Sequence, residues 1–216
     1  MNVWPRLRRA LGVDAAEAPR RWAVVDVEAS GLDPRHDRLI AVAAVAVTLV
    51  QGAPRIAFGD SFEVVLRQPK LAPDKANILL HGIGVGAQRE GVEPGLALAA
   101  FERWLDAAPL LAFHAAFDEM LLQRAMRAVL GHPLAAEWVD LEPVAAALHP
   151  AQPGRSLDAW LSHFGITCAA RHQAAADALA TAELLLRLWP ALCRQDRAPG
   201  FAALRRLASQ GRWLQR

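Results

Sequence analysis

Two carboxylates interrupt an apolar, β-branched run near the start of the chain. They are Asp26 and Glu28 in Trp-Ala-Val-Val-Asp-Val-Glu-Ala-Ser-Gly, Trp22 to Gly31. The valines make Ala23 to Val27 a strand. Side chains two apart on a strand point to one face, so the acids project together while Val25 and Val27 face the opposite layer. Like charges this close raise one another's pKa unless a cation lies between them. An unpaired carboxylate is costly to bury, so the pair needs partners or a metal. Taken alone, these acids would read as a solvated strand end, because Asp and Glu are mostly exposed.

Two distant segments carry the same oddity. Asp118 closes Phe-His-Ala-Ala-Phe-Asp, Phe113 to Asp118. Leu121 and Leu122 lie three and four residues on and share its helix face, which puts an acid on a buried stripe near a helix start. Asp177 closes His-Gln-Ala-Ala-Ala-Asp, His172 to Asp177. Its helical neighbours Ala174, Ala178 and Thr181 are small, so that helix can lie close to a sheet and bring its acid to the strand pair. His172 is five positions earlier, roughly 140° away on an ideal helix. It is therefore expected on the loop or first turn before the helix. Four carboxylates without matching histidine or cysteine ligands favour magnesium or manganese over zinc. Two such ions about 4 Å apart suit in-line displacement at phosphorus. A histidine titrates near neutrality and suits removal of a proton from water. The indicated reaction is phosphodiester hydrolysis.

The rest of the chain frames these clusters. Its 216 residues suit one domain with short extensions, and 54% hydrophobic residues argue against disorder. A net charge of +2 rules out a polycation, and Lys70 and Lys75 are the only lysines. Cys168 and Cys193 form neither a metal-type pair nor a disulfide framework. The longest apolar run, Leu39 to Val50, is too short for the about 20 residues that span a bilayer. A soluble cytoplasmic protein without a membrane partner is expected. Met1 to Arg21 reads as a basic arm or helix. Strands are expected at Leu39 to Val50, Ile56 to Leu66, Leu110 to Phe113 and Glu137 to Asp140. Helices are expected at Pro73 to Leu80, Pro94 to Ala107, Ala115 to Val129, up to Leu148, Leu157 to Phe164, Ala174 to Leu188 (ended near Pro190) and Ala202 to Leu207. Strands first and βα units later give one mixed α/β sheet flanked by helices. Seven tryptophans, including Trp22, Trp138 and Trp160, are expected mostly in or over the core.

With these residues in view, the sequence resembles the DEDDh (DnaQ-like) 3′–5′ exonucleases, similar to the epsilon proofreading subunit of bacterial DNA polymerase III. Asp26-Val27-Glu28-Ala29-Ser30-Gly31-Leu32 looks like the family's Asp-x-Glu-Thr-Thr-Gly-Leu block. His172 and Asp177, followed by Ala178, Thr181 and Ala182, match the subtype with histidine. Ser156-Leu157-Asp158 to Gly165-Ile166 resembles the helix between the second and third motifs. The resemblance implies a ribonuclease H-like fold with a five-stranded sheet. It implies Asp26, Glu28, Asp118 and Asp177 as ligands of two Mg2+ or Mn2+ ions, Asp26 bridging them, with His172 as general base. The backbone near Ser30 and Gly31 and the side chain of Leu32 would hold the 3′-terminal nucleotide. The turn His81-Gly82-Ile83 would lie against its base, and His114 and Phe117 would lie beside the substrate. Departures are Phe113-His114 in place of the usual His-Asn, Ala29 and Ser30 in place of threonines, and Gly84 where threonine is frequent.

The expected domains are a basic arm over 1–21, an exonuclease domain over 22–190 and a C-terminal helical extension over 191–216. The expected substrate is a single-stranded or frayed DNA 3′ end, with a DNA polymerase as a candidate partner. RNA 3′ ends are the same-class alternative. A non-catalytic nucleic-acid-binding module with this fold is the rival from another class.

Overall fold

The computed structural model describes residues 21–68 and 75–213. The expected arm over 1–21 lies outside the described residues apart from Arg21, as does the expected helix start at Pro73.

Three strands open the fold: β1 (Arg21–Ala29), β2 (Leu39–Val50) and β3 (Ala53–Val65). β3 begins at Ala53 rather than Ile56. Gln51 and Gly52 both take positive φ, 52° and 79°, and join β2 to β3 as a two-residue hairpin. Helices α1 (Lys75–His81), α2 (Val85–Glu90) and α3 (Pro94–Leu105) follow. Then come β4 (Leu110–Ala112), α4 (Ala116–Leu130), β5 (Trp138–Asp140), α5 (Leu141–Leu148), α6 (Leu157–Phe164), α7 (Ala174–Gln195) and α8 (Phe201–Trp213). The short α2 was not legible in the sequence.

The strands form one sheet in the order β3-β2-β1-β4-β5. β1 is antiparallel to β2 and parallel to β4, and β4 is parallel to β5. This is the expected mixed five-stranded sheet. Each face carries its own apolar cluster, and β1 divides between them by strict alternation. Trp22 and Val24 join Val144, Trp160, Leu185 and Leu204 on one face. Ala23, Val25 and Val27 join Leu98, Phe101, Leu121 and Leu122 on the other. Asp26 and Glu28 therefore point to the face of Trp22 and Val24. There α7 crosses β1 and β2 with Ala174, Ala178 and Thr181 buried.

The expected helix end near Pro190 is corrected: α7 continues to Gln195 with Pro190 inside it. An internal proline costs about 3 kcal/mol. Burial of its neighbours Trp189, Ala191 and Leu192 offsets that cost. Trp189 also packs on Trp22, ring centroids 5.8 Å apart, and its Nε1 donates to the Gly52 carbonyl at 3.1 Å. The last helix is likewise longer than expected, with Phe201, Leu204 and Ala208 in the core. Among the described residues no helix is long and apolar enough to cross a membrane.

Candidate active site

On β1, Asp26 and Glu28 stand opposite Ala43 and Ala41 of β2. Small partners leave space around the acids. The register shifts between Glu28 and Ala29, an irregularity of the kind that re-aims side chains beside functional sites. Above them opens a cleft of about 370 Å³, lined by Asp26, Glu28, His114, Arg171, His172 and Asp177, with Asp158 at its side. Four separate chain segments thus meet in one cleft, within the size range of small-ligand pockets. A larger hollow of about 520 Å³ is lined by Arg21, Asp60 and Trp104. There Arg21 is paired with Asp60 and stacked over Trp104, and none of the expected site residues lines it.

Asp118 stands behind the strand pair, in the first turn of α4, with only 5% of its surface exposed. Its Oδ1 accepts the Val27 backbone N–H at 3.1 Å. The helix N-terminus favours an acid at this place. Asp177 is 4% exposed and occupies the first turn of α7. Its Oδ2 accepts the His172 N–H at 2.9 Å, and its Oδ1 pairs with Arg171 Nη1. His172 lies on the loop before α7, as its five-residue spacing implied, and is exposed. It takes φ +62°, and His114 takes φ +59°. Such conformations store roughly 1–3 kcal/mol each and gather at functional sites.

Burial pushes the Asp26 carboxyl well above its ordinary range, and repulsion from Asp118, Asp177 and Glu28 adds to this. Burial does the same to Asp118, against two backbone N–H groups that favour its charge. Glu28 is pushed up to about 8 by burial and then by Asp177, with Arg171 opposing. Full ionisation of these acids is therefore disfavoured unless a cation joins them. Their oxygen-rich donor set suits a hard divalent cation. As placed among the described residues, no three His, Cys, Asp or Glu side chains form a ready metal-binding group.

The remaining expected residues lie around this centre rather than lining the cleft. The Ser30 hydroxyl is engaged within its own turn, donating to Asp37 and accepting from the Arg38 N–H, both at 2.9 Å. Gly31 is required there, because a Cβ would come within 2.4 Å of the Asp37 carboxylate. Leu32 is 86% exposed beside this turn. Asn77 of α1 donates to the Ser30 carbonyl, tying α1 to the turn. The His81 ring is buried, 3% exposed, and its Nδ1 accepts the Ile83 N–H at 3.0 Å. Gly82 takes φ +72° and faces Gln173, next to His172. Phe117 packs against the cluster beneath the sheet and not into the cleft.

Sequence reading missed two residues. Asp140, at the end of β5, accepts the N–H groups of His114 and Glu142, both at 3.0 Å. It pins the strained turn after β4 and adds repulsion to Asp118. Its signal was an acid closing a valine-bearing strand, the pattern of Asp26. Arg171 joins Asp158 to Asp177, and its signal was a cation placed directly before His172.

Known proteins share the family and the fold. The model of the RNase_T family, described as an exonuclease, matches residues 23–185. A DNA polymerase III subunit epsilon-like protein of Rhodobacter capsulatus is 32% identical over 198 residues, covering 89% of this chain and 27% of that protein. A PolC-type DNA polymerase III of Oceanobacillus iheyensis is 27% identical, covering 81% of this chain and 12% of that protein. The chain thus spans about a quarter or less of the curated relatives it matches. Among solved structures, E. coli Exonuclease I in complex with a dT13 oligonucleotide superposes with a TM-score of 0.69 at 19% identity, over 82% of this chain and 42% of that one. Cell-death related nuclease 4 superposes with a TM-score of 0.67 at 15% identity, over 78% of this chain and 63% of that one. The expected ribonuclease H-like architecture is that of these neighbours.

Proposed function

The chain belongs to the RNase_T exonuclease family, of DnaQ-like type, and from that premise we propose that it is a metal-dependent 3′–5′ exonuclease acting on DNA 3′ ends. One observation carries this: Asp26, Glu28, Asp177 and His172 line a single cleft, with Asp118 bonded directly behind Val27. Held by Asp26, Glu28, Asp118 and Asp177, two Mg2+ or Mn2+ ions would offset charge at phosphorus and lower the pKa of the attacking water.

The chain's own groups supply the rest. An imidazole nitrogen of His172 takes a proton from water as the water oxygen bonds to phosphorus. The bond from phosphorus to the 3′ oxygen of the preceding nucleotide breaks, and a nucleoside 5′-monophosphate is released. His172 can serve because it is exposed on a loop whose backbone is fixed to Asp177. The turn at Ser30 and Gly31, with exposed Leu32, would seat the terminal nucleotide. The His81 to Ile83 turn would border it and His114 would flank the strand, while Phe117 would support the site from below. The exonuclease domain would be 22–190, followed by the helical extension 191–216.

Support for a DNA end comes from the complex of E. coli Exonuclease I with a dT13 oligonucleotide. The epsilon-like relative makes a DNA polymerase a candidate partner. Two free thiols, Cys168 and Cys193, accord with work in the reducing cytoplasm. The test is digestion of a 5′-labelled single strand with Mg2+, read by product length, beside a matched RNA strand. Stepwise shortening that EDTA or Asp26→Ala abolishes is expected. Full activity in excess EDTA overturns the proposal, and preferential shortening of RNA reassigns the substrate.

A further inference from the structure

Among the described residues, Asp26, Glu28 and Asp118 form no ion pair, whereas Asp177 is engaged through both oxygens. Oδ1 meets Arg171 Nη1 and lies 3.4 Å from Cys168 Sγ, and Oδ2 holds the His172 N–H. Arg171 Nε donates at the same time to Asp158 Oδ1 at 2.5 Å. One guanidinium therefore bridges a buried acid of α7 and an exposed acid of α6, whose side chains are 6% and 65% exposed. A planar fork with two carboxylates is a well-held cation. Its charge also opposes the upward pressure on Glu28 and Asp26.

This inference rests on the metal-dependent reading of the same acids. We propose that Arg171 competes with divalent cations for Asp177. Arg171 sits on Oδ1 of Asp177 and the His172 N–H on Oδ2, so an ion approaching this acid meets the guanidinium, and two cations in contact repel strongly where water is scarce. Loading the acid cluster therefore requires Arg171 to leave Asp177, and Asp158 keeps the released side chain at the mouth of the cleft. The apparent affinity for the ion is the intrinsic affinity reduced by the fraction of molecules in which Asp177 is free. Arg171 is thus a positioning residue that sets the metal concentration at which the site fills. It touches no reacting atom.

The test is Mn2+ binding by the full chain, followed by electron paramagnetic resonance and calorimetry. Arg171→Gln is expected to bind Mn2+ on the order of ten-fold more tightly than the unsubstituted protein. Arg171→Lys keeps the charge but loses the fork, and is expected to lie between the two. A lysine variant equal to the unsubstituted protein would mean that net charge alone acts, and overturns the competition. So does an Arg171→Gln variant that binds no more tightly. On the unsubstituted protein, the Arg171 Nε–H resonance is expected to shift as Mg2+ is added, and an unmoved resonance at saturation also overturns the proposal. Failure of the unsubstituted protein to bind Mn2+, or undiminished binding by Asp26→Asn, removes the metal reading itself and the competition with it. Normal binding with unchanged Arg171 variants removes only the competition.

Discussion

The backbone N–H of Val27, the residue between the two strand acids, donates to Oδ1 of Asp118 at 3.1 Å. One hydrogen bond thus joins the first acidic cluster to the second across 91 positions of chain. It also separates two roles of Asp118. Asp118→Asn can keep an amide oxygen toward Val27, whereas Asp118→Ala leaves that N–H buried without a partner, at a cost of about 1–3 kcal/mol. Both variants are expected to lose exonuclease activity by at least about a thousand-fold, the several kcal/mol of a lost metal ligand. Only the alanine variant is expected to be clearly destabilised. Urea denaturation of the two in EDTA checks this, and equal midpoints would sink the assignment.

Stability without divalent ions should fall as pH rises. Glu28 is held up to about 8 by burial and Asp177, against an ordinary value of 4.5, and Asp26 and Asp118 shift in the same direction. The folded chain holds these protons more tightly than the unfolded chain. Their contribution is therefore complete below the unfolded values and is lost as pH climbs through the folded ones. Asp33, Asp60, Glu93 and Asp196 are lowered and act only on the acid side, while burial lowers His81 and His149 from 6.5 and so favours the fold as pH rises to that value. The fall is therefore read above the histidine range: thermal melts in EDTA from about pH 7 to 8.5 should show a falling Tm, and saturating Mg2+ should flatten it. A rising Tm in EDTA would count against an unpaired acid cluster.

His172→Ala is expected to lower kcat by roughly 10²–10⁴-fold, the ordinary worth of a positioned general base. Mn2+ affinity should stay within about two-fold, since what Asp177 takes from this residue is its backbone N–H. Parallel single-turnover kinetics and Mn2+ titration test this. Loss of metal binding together with activity would reassign His172 to the ligand set.

Gly31→Ala should destabilise the turn that follows β1. The added carbon would meet an Asp37 carboxylate already fixed by the Ser30 hydroxyl and the Asp33 N–H. Overpacking of this kind costs about 1–3 kcal/mol. Asp37→Ala in the same chain removes the obstacle and should recover part of the loss, which a double-mutant cycle in urea would measure. A fully stable single variant would mean that the turn yields freely.

Much of the frame was legible locally because local physics dictates it. Valine runs placed β1 and β2, and period-two alternation put Asp26 and Glu28 on the face opposite Val25 and Val27. The five-residue spacing placed His172 ahead of α7 and Asp177 within it. Pro190 was misread because a proline's local cost is visible in sequence, whereas the burial of Trp189, Ala191 and Leu192 that offsets it is not. The ring of His81 is 3% exposed at the end of α1, a detail no local pattern carries, because only the packed chain decides which way a ring turns at a helix end.

The order of residues alone determined which chemistry was available: four acids and a histidine, in segments whose periodicity assigned each to a strand, a helix or a loop. Tertiary structure decided what those acids meet. Asp118 is bonded to Val27, Asp140 holds the His114 turn, and Arg171 reaches Asp158 and Asp177. Periodicity acts over a few residues and is written in the sequence. Pairing of buried charges depends on distance and desolvation, and both are set only when the sheet and helices close around them.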